Sequence, residues 1–85
     1  MADFDWHAYG FVVGSEYRKK VIGSMASGPK TPKQISASTG LRLNHVSSTL
    51  KELENVRVAM CLTPDLRKGR LYQLTRLGQQ IFHKL

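Results

Sequence analysis

The sequence has a single cysteine, Cys61, so no internal disulfide can staple it. Its histidines, His7, His45 and His83, lie far apart and have no metal-ligand spacing. Acidic residues are scarce, six Asp and Glu against thirteen Lys and Arg. No apolar run is long enough for a membrane-spanning helix, and the first residues lack the charged-then-apolar form of a signal peptide. There is no internal repeat and no low-complexity tract. A Ser/His/Asp set, paired carboxylates and a Gly-rich phosphate loop are all missing, which argues against an enzyme. The expectation is a cytoplasmic protein that is not an enzyme, with no cofactor, no metal and no membrane contact.

What is there is one small basic domain. The chain has 85 residues, and a domain of that size buries roughly 60% of its unfolded surface, so its core is modest. Hydrophobic content of 41% is enough for a globular fold. The net charge of +7 suggests an anionic partner, with nucleic acid or a membrane surface as the first candidates. The charge is uneven. Residues 1–13 carry only Asp3 and Asp5, whereas Arg18, Lys19, Lys20, Lys30 and Lys33 stand against Glu16 alone in residues 14–34. Residues 35–55 are neutral, and residues 56–85 are basic again through Arg57, Arg67, Lys68, Arg70, Arg76 and Lys84.

The aromatic start, MADFDWHAYGFVV, is expected as an N-terminal extension over residues 1–13, with Trp6, Tyr9 and Phe11 free to pack on the domain or on a second copy. The domain proper is expected over residues 14–85. Ser15 caps a first helix whose apolar stripe is Tyr17, Val21, Ile22 and Met25, with Arg18, Lys19 and Lys20 on a solvated face. TPKQISASTG predicts a short second helix: Thr31 is the N-cap, Pro32 sits at N1, Gln34 completes a capping box, Ile35 anchors the core and Gly40 is the left-handed stop. LRLNHVSSTLKELENV predicts a third helix with Val46, Leu50 and Leu53 inward. At about 100° per residue, Asn44, Ser48 and Lys51 then point outward, flanked by Ser47 on one side and His45 on the other. That outward face is short, polar and uncharged for two turns, which suits close approach to another surface. VRVAMCL alternates as a strand with Val58, Met60 and Leu62 on one side, and RLYQL predicts a second strand. Between them lies a basic loop bearing Arg67, Lys68 and Arg70, with Pro64 to stiffen its base and Gly69 to allow a tight turn. A last helix follows Thr75, with Leu77, Ile81 and Leu85 as its stripe and Phe82 beside it.

The fold class is therefore α+β, in the order helix, helix, helix, strand, wing, strand, helix. TPKQISASTGLRLNHVSSTLKELE (31–54), followed by a basic-tipped hairpin closing on LYQLTRLG (71–78), resembles the winged helix-turn-helix domains of small prokaryotic regulators, ArsR-like and MarR-like, and is particularly similar to compact archaeal ones. The resemblance covers roughly residues 15–80. It implies a transcriptional regulator that binds double-stranded DNA in a sequence-specific way, with the third helix in the major groove. Asn44, His45, Ser47, Ser48 and Lys51 become the groove-facing positions, with Asn44 suited to adenine and His45 to guanine. His45 is equally well read as a packing histidine. Arg42 falls where relatives usually carry a small N-cap, and it brings a cation towards the phosphates. Ser48 falls where many relatives carry Arg, and Arg57 near a position that is often Gly, for which Asn55 is expected to supply the left-handed residue. Arg67, Lys68 and Arg70 are assigned to phosphate or the minor groove, and Thr31 and Lys33 to phosphate at the start of the second helix.

In related regulators a terminal helix often builds the dimer. Phe82 and Leu85, together with Trp6 and Phe11, are more apolar surface than one small domain needs, so a homodimer through the C-terminal helix and the N-terminal aromatic segment is expected. A two-fold dimer places its recognition helices roughly 34 Å apart. Two rivals stand: a winged helix used for protein–protein contact within a transcription or replication assembly, and an RNA-binding winged helix. Cys61 reads as a small strand residue.

Overall fold

Four of the five helices begin at a side chain that accepts one of the first-turn amides. The computed structural model describes residues 4–85 and arranges them as α1 (Trp6–Val13), α2 (Glu16–Met25), α3 (Pro32–Thr39), α4 (Leu43–Asn55), β1 (Ala59–Cys61), β2 (Tyr72–Leu74) and α5 (Arg76–Lys84). The caps are Asp5, Ser15, Thr31 and Thr75, accepting from Ala8, Arg18, Gln34 and Gly78 respectively. Each satisfies a backbone donor that has no partner inside its helix. In the first turn of α2, the Lys19 ammonium holds the Glu16 carboxyl below its usual range, by hydrogen bond first and by charge second. The α3 box is complete: Gln34 N donates to Thr31 Oγ1 at 3.2 Å and Thr31 N donates to Gln34 Oε1 at 2.8 Å. Gly40 ends α3 with φ 77, the left-handed conformation expected of it.

The segment expected as an extension contributes α1. Its Ala8 and Val12 are buried in the same core as the rest of the chain, so the packing runs across the boundary expected at residue 14. Met1, Ala2 and Asp3 lie outside the described residues. The core is otherwise built from Val21, Ile22 and Met25 of α2, Ile35 of α3, Val46, Leu50 and Leu53 of α4, Val58 and Ile81, all fully or almost fully buried. Tyr17, expected on the buried stripe of α2, is 43% exposed because it sits at the open end of that helix, against His45.

The antiparallel pair β1–β2 matches Ala59 with Leu74, Met60 with Gln73 and Cys61 with Tyr72. This turns the expected pleat over. Ala59, Tyr72 and Leu74 face the core, while Met60 and Leu62 are exposed. The reason is the turn before the strand. Val58 is buried, but it belongs to the turn that closes α4, where its amide donates to the Leu53 carbonyl at 2.9 Å. It is therefore out of step with the pleat, and a one-residue slip inverts every side chain. In the same turn the left-handed residue is Arg57, at φ 63, rather than Asn55, which stays within α4. Lys30 adds a bridge on the far side of β2, exchanging both backbone hydrogen bonds with Tyr72 at 2.9 Å.

The start of α5 rests directly on this turn. Thr75 N donates to the Val58 carbonyl at 3.0 Å, and the Thr75 hydroxyl donates to the Arg57 carbonyl at 2.6 Å. Gly78 is buried above them, and a Cβ there would lie 2.2 Å from the Val58 oxygen. Replacing Gly78→Ala should therefore force helix and turn apart and lower stability by about 3 kcal/mol. Urea unfolding followed by circular dichroism measures this, and an unchanged midpoint would show that the close approach is not required.

Candidate nucleic-acid interface

The polar and cationic residues singled out in the sequence come from three places in the chain, and the fold draws most of them together. A cleft of about 460 Å³ is lined by Thr31, Pro32 and Lys33 at the start of α3, Leu43 and Ser47 on α4, and Arg67, Lys68 and Gly69 at the wing tip. A second cleft of about 210 Å³ shares Pro32, Ser47, Arg67 and Gly69 with it and adds Lys51, Arg70 and Tyr72. Thr31, Lys33, Ser47, Lys51, Arg67, Lys68 and Arg70 thus share one continuous surface. No residue of α1 or α5 lines either cleft.

The helix pair is held by short side-chain contacts around the turn between α3 and α4. Ser36 Oγ donates to the Leu41 carbonyl at 2.6 Å, and Thr39 Oγ1 donates to the Ile35 carbonyl at 2.7 Å while accepting from Leu41 N at 3.2 Å. These bonds replace the backbone partners that the chain loses as it turns. α4 then starts at Arg42, whose side chain makes no capping bond. Its first amides remain available to water or to an anion. Val46, Thr49, Leu50 and Leu53 are buried, and Asn44, Ser47, Ser48 and Lys51 are exposed on the outward side.

Arg42, Asn44 and Ser48 are exposed but line neither cleft. His45 is half-buried and stacks on Tyr17, with ring centroids 5.1 Å apart and planes inclined at 32°. It keeps a packing role whatever else it does. The three wing cations are unequal. Arg67 and Lys68 are exposed. Arg70 turns back, and its Nε donates to the Leu66 carbonyl across the loop. With the Leu66–Thr63 backbone bond, the bond from Leu71 N to Thr63 Oγ1 and Gly69 at φ 66, this gives the wing a defined bend rather than a loose tip.

Two exposed residues escape sequence reasoning, Leu43 in the larger cleft and Tyr17 outside both clefts. Leu43, which falls outside the Val46, Leu50 and Leu53 stripe, is 44% exposed and lines the larger cleft. Tyr17 reads as core and instead stands open beside α4. Only an excess of apolar residues over what a small core can hold hints at either in the sequence. Among the described residues there is no group of His, Cys, Asp and Glu that could hold a metal, and no helix is long and apolar enough to cross a membrane.

No protein-family model matches the sequence, and no curated protein matches it. Solved structures do resemble it. A MarR family transcription regulator superposes with a TM-score of 0.75 at 18% identity, covering 91% of this chain and 52% of its own. The quinone-bound YodB of B. subtilis superposes at 0.74 with 21% identity, covering 93% and 84%. The homodimeric winged helix-turn-helix DNA-binding domain of Mb0332 from Mycobacterium bovis, a possible ArsR-family transcriptional regulator, superposes at 0.73 with 18% identity, covering 93% and 72%. The chain spans about half the length of the MarR family regulator. At these identities the likeness establishes the fold. The chain is a winged helix-turn-helix domain, in which α3 and α4 are the helix pair and the β1–β2 hairpin is the wing.

The α3 cap sets one wall of the cleft. Thr31→Ala should remove the half of the capping box in which the Thr31 hydroxyl accepts from Gln34 N, and lower stability by about 1 kcal/mol. Hydrogen exchange checks the location: protection should fall first over residues 32–36.

Proposed function

We propose that this protein is a transcriptional regulator that binds double-stranded DNA in a sequence-specific way and is not an enzyme. The observation that carries this reading is the pair of adjoining clefts, which puts the start of α3, the outward face of α4 and the wing cations on one surface of a strongly basic chain. In this reading α4 enters the major groove. Asn44, Ser47 and Ser48 face base edges, with His45 at their flank on Tyr17, and Lys51 and Arg42 approach the backbone. Lys33 and the first amides of α3 behind Thr31 take one phosphate. Arg67 and Lys68 grip phosphate or the minor groove from the wing, and Arg70 sets the bend from which they project. Affinity comes mainly from cation–phosphate contacts and specificity from α4. A cytoplasmic location follows from that role.

A second copy covers α1 and α5 in this proposal. Trp6 is 62% exposed and Leu85 47%, and half-buried Phe4, Tyr9 and Phe82 adjoin them. Phe4, Trp6 and Tyr9 already form an edge-on cluster beside Lys84, with ring centroids 4.7 to 6.0 Å apart. So much aromatic surface at one edge of a small domain fits an isologous partner. The homodimeric state of the Mb0332 domain supports a two-copy assembly. The exposed aromatic surface also suits the alternative role as a protein–protein module.

Wild type should lose DNA affinity with a log–log salt slope of about −0.9 per phosphate neutralised. The double variant Arg67→Ala/Lys68→Ala should bind every duplex more weakly and flatten that slope by about two units. If it bound as tightly as wild type at several salt concentrations, the wing would have no place at the DNA. Selection from a random duplex pool tests the rest. A two-fold symmetric consensus is expected, and Asn44→Ala should relax preference at one position per half-site, by about 1–3 kcal/mol of discrimination. A chain that holds no duplex at low salt belongs to the protein–protein class, and one that prefers structured RNA belongs to the RNA-binding class.

A further inference from the structure

We infer that Arg18 is a positioning residue for the recognition helix: it ties α4 to the end of α1, so that the packing of α1 sets the angle at which α4 is presented. Its position in RKK reads as a solvated face, and Lys19 and Lys20 fit that reading. Lys19 pairs within its own helix with Glu16, and Lys20 is exposed. Arg18 does not fit. Its side chain is only 20% exposed, and its guanidinium reaches two other helices at once.

Towards α4, Nε lies 3.3 Å from Glu52 Oε1 and Nη2 lies 3.5 Å from Glu52 Oε2, a forked approach to one carboxylate. Towards α1, Nη1 donates to the Phe11 carbonyl at 2.8 Å, and the guanidinium carbon lies 3.5 Å from the centroid of the Phe11 ring. The Phe11 carbonyl is in the last turn of α1, a turn with no basic residue of its own. Arg18 supplies the cation that the negative end of that helix lacks, and it does so from α2. Among the described residues Arg18–Glu52 is the ion pair that joins two helices, since Lys19–Glu16 stays within α2. Only a guanidinium combines the flat stacking face with donors in the right fork, and a lysine ammonium offers one point of charge.

Glu52 lies one helical turn after Ser48, on the flank between the buried and the outward sides of α4. A pull on Glu52 therefore tilts the face that carries Asn44, Ser47 and Ser48. α1 is the element whose exposed aromatic surface is proposed to meet a second copy. Arg18 then links assembly at α1 to the presentation of α4, without touching DNA itself. The DNA half of this inference rests on the function proposed above.

The test uses the full chain and the variants Arg18→Gln, Arg18→Lys, Glu52→Gln and the Arg18→Gln/Glu52→Gln pair. Each is held below its measured melting temperature and assayed on the selected duplex and on an unrelated one across salt. Arg18→Gln should lower the ratio of specific to unrelated affinity about tenfold, while the unrelated affinity and its salt slope stay as in wild type. The double variant should be no worse than Arg18→Gln, because the two side chains act as one unit. Arg18→Lys should regain stability but not the ratio. Hydrogen exchange should show the end of α1 and the last turn of α4 losing protection together. A folded Arg18→Gln protein with the wild-type ratio overturns the inference, as do additive effects. A uniform loss on both duplexes with a flatter slope does so too, since it makes Arg18 a phosphate contact. If Arg18→Gln fails to fold, Glu52→Gln leaves the Phe11 contacts in place and carries the same comparison. If wild type prefers no duplex, the DNA-binding reading has failed, and exchange decides the coupling: loosening confined to α1 overturns it.

Discussion

The carbonyl of Val58 is the point on which α4, the wing and α5 are jointly hung. The Val58 amide closes the last turn of α4 on Leu53, and its oxygen accepts from Thr75 at the start of α5. Between them the hairpin leaves and returns. The two backbone groups of one residue therefore tie together the helix proposed to read bases and the base of the loop proposed to hold the backbone. The approach is so close that only glycine fits at position 78, and the turn holds Arg57 in a left-handed conformation that costs about 1–2 kcal/mol for a residue with a side chain. A core this small has few other ways to orient a three-residue strand pair. Two strands alone are marginal, and here α5 and the Lys30 bridge on Tyr72 brace them from either side.

The features legible in the sequence were those whose cause is local. Thr31, Pro32, Gln34 and Gly40 specify α3 within ten residues, because capping and a left-handed stop need nothing from the rest of the chain. The Val46, Leu50, Leu53 stripe placed the outward face of α4 for the same reason. What the sequence hid depends on contacts made at long range. The pleat of β1 was inverted because Val58 belongs to a turn, and only the pairing of Ala59 with Leu74 reveals it. Nothing next to Gly78 in sequence announces that Val58 passes above it. Arg18 looks like one of three equivalent cations until Glu52, 34 residues on, and Phe11, seven residues back, are brought beside it. α1 was hard to see because its stripe is thin: Ala8 and Val12 enter the core, while its aromatic rings gather at the edge.

The candidate interface was legible as a list of residue types and not as an arrangement. Cations and short polar groups at the right spacing mark the surface, but they cannot say that Arg70 is turned inward or that His45 is taken up by Tyr17. The difference matters for how the proposed grip works. A loose loop with three charges would have to lose its chain entropy on meeting phosphate, at about 1–2 kcal/mol for each residue ordered. Here the loop is bent beforehand by Thr63, Gly69 and the Arg70–Leu66 bond, so Arg67 and Lys68 are offered from a frame that is already ordered.

The same economy governs α4. Its amino end has no side-chain cap, so local forces hold that end weakly. Its orientation is set instead by four buried side chains and by Arg18. Buried apolar contacts resist separation but tolerate small rotations, because dispersion is non-directional. A forked ion pair fixes direction. That Arg18 is three-quarters or more enclosed, while the neighbouring lysines are open or paired within α2, places the directional contact at a cation that also stacks on Phe11 of α1. One guanidinium thus adds a direction to the packing that holds α4, and in the proposed coupling the orientation of that helix depends on what happens at α1.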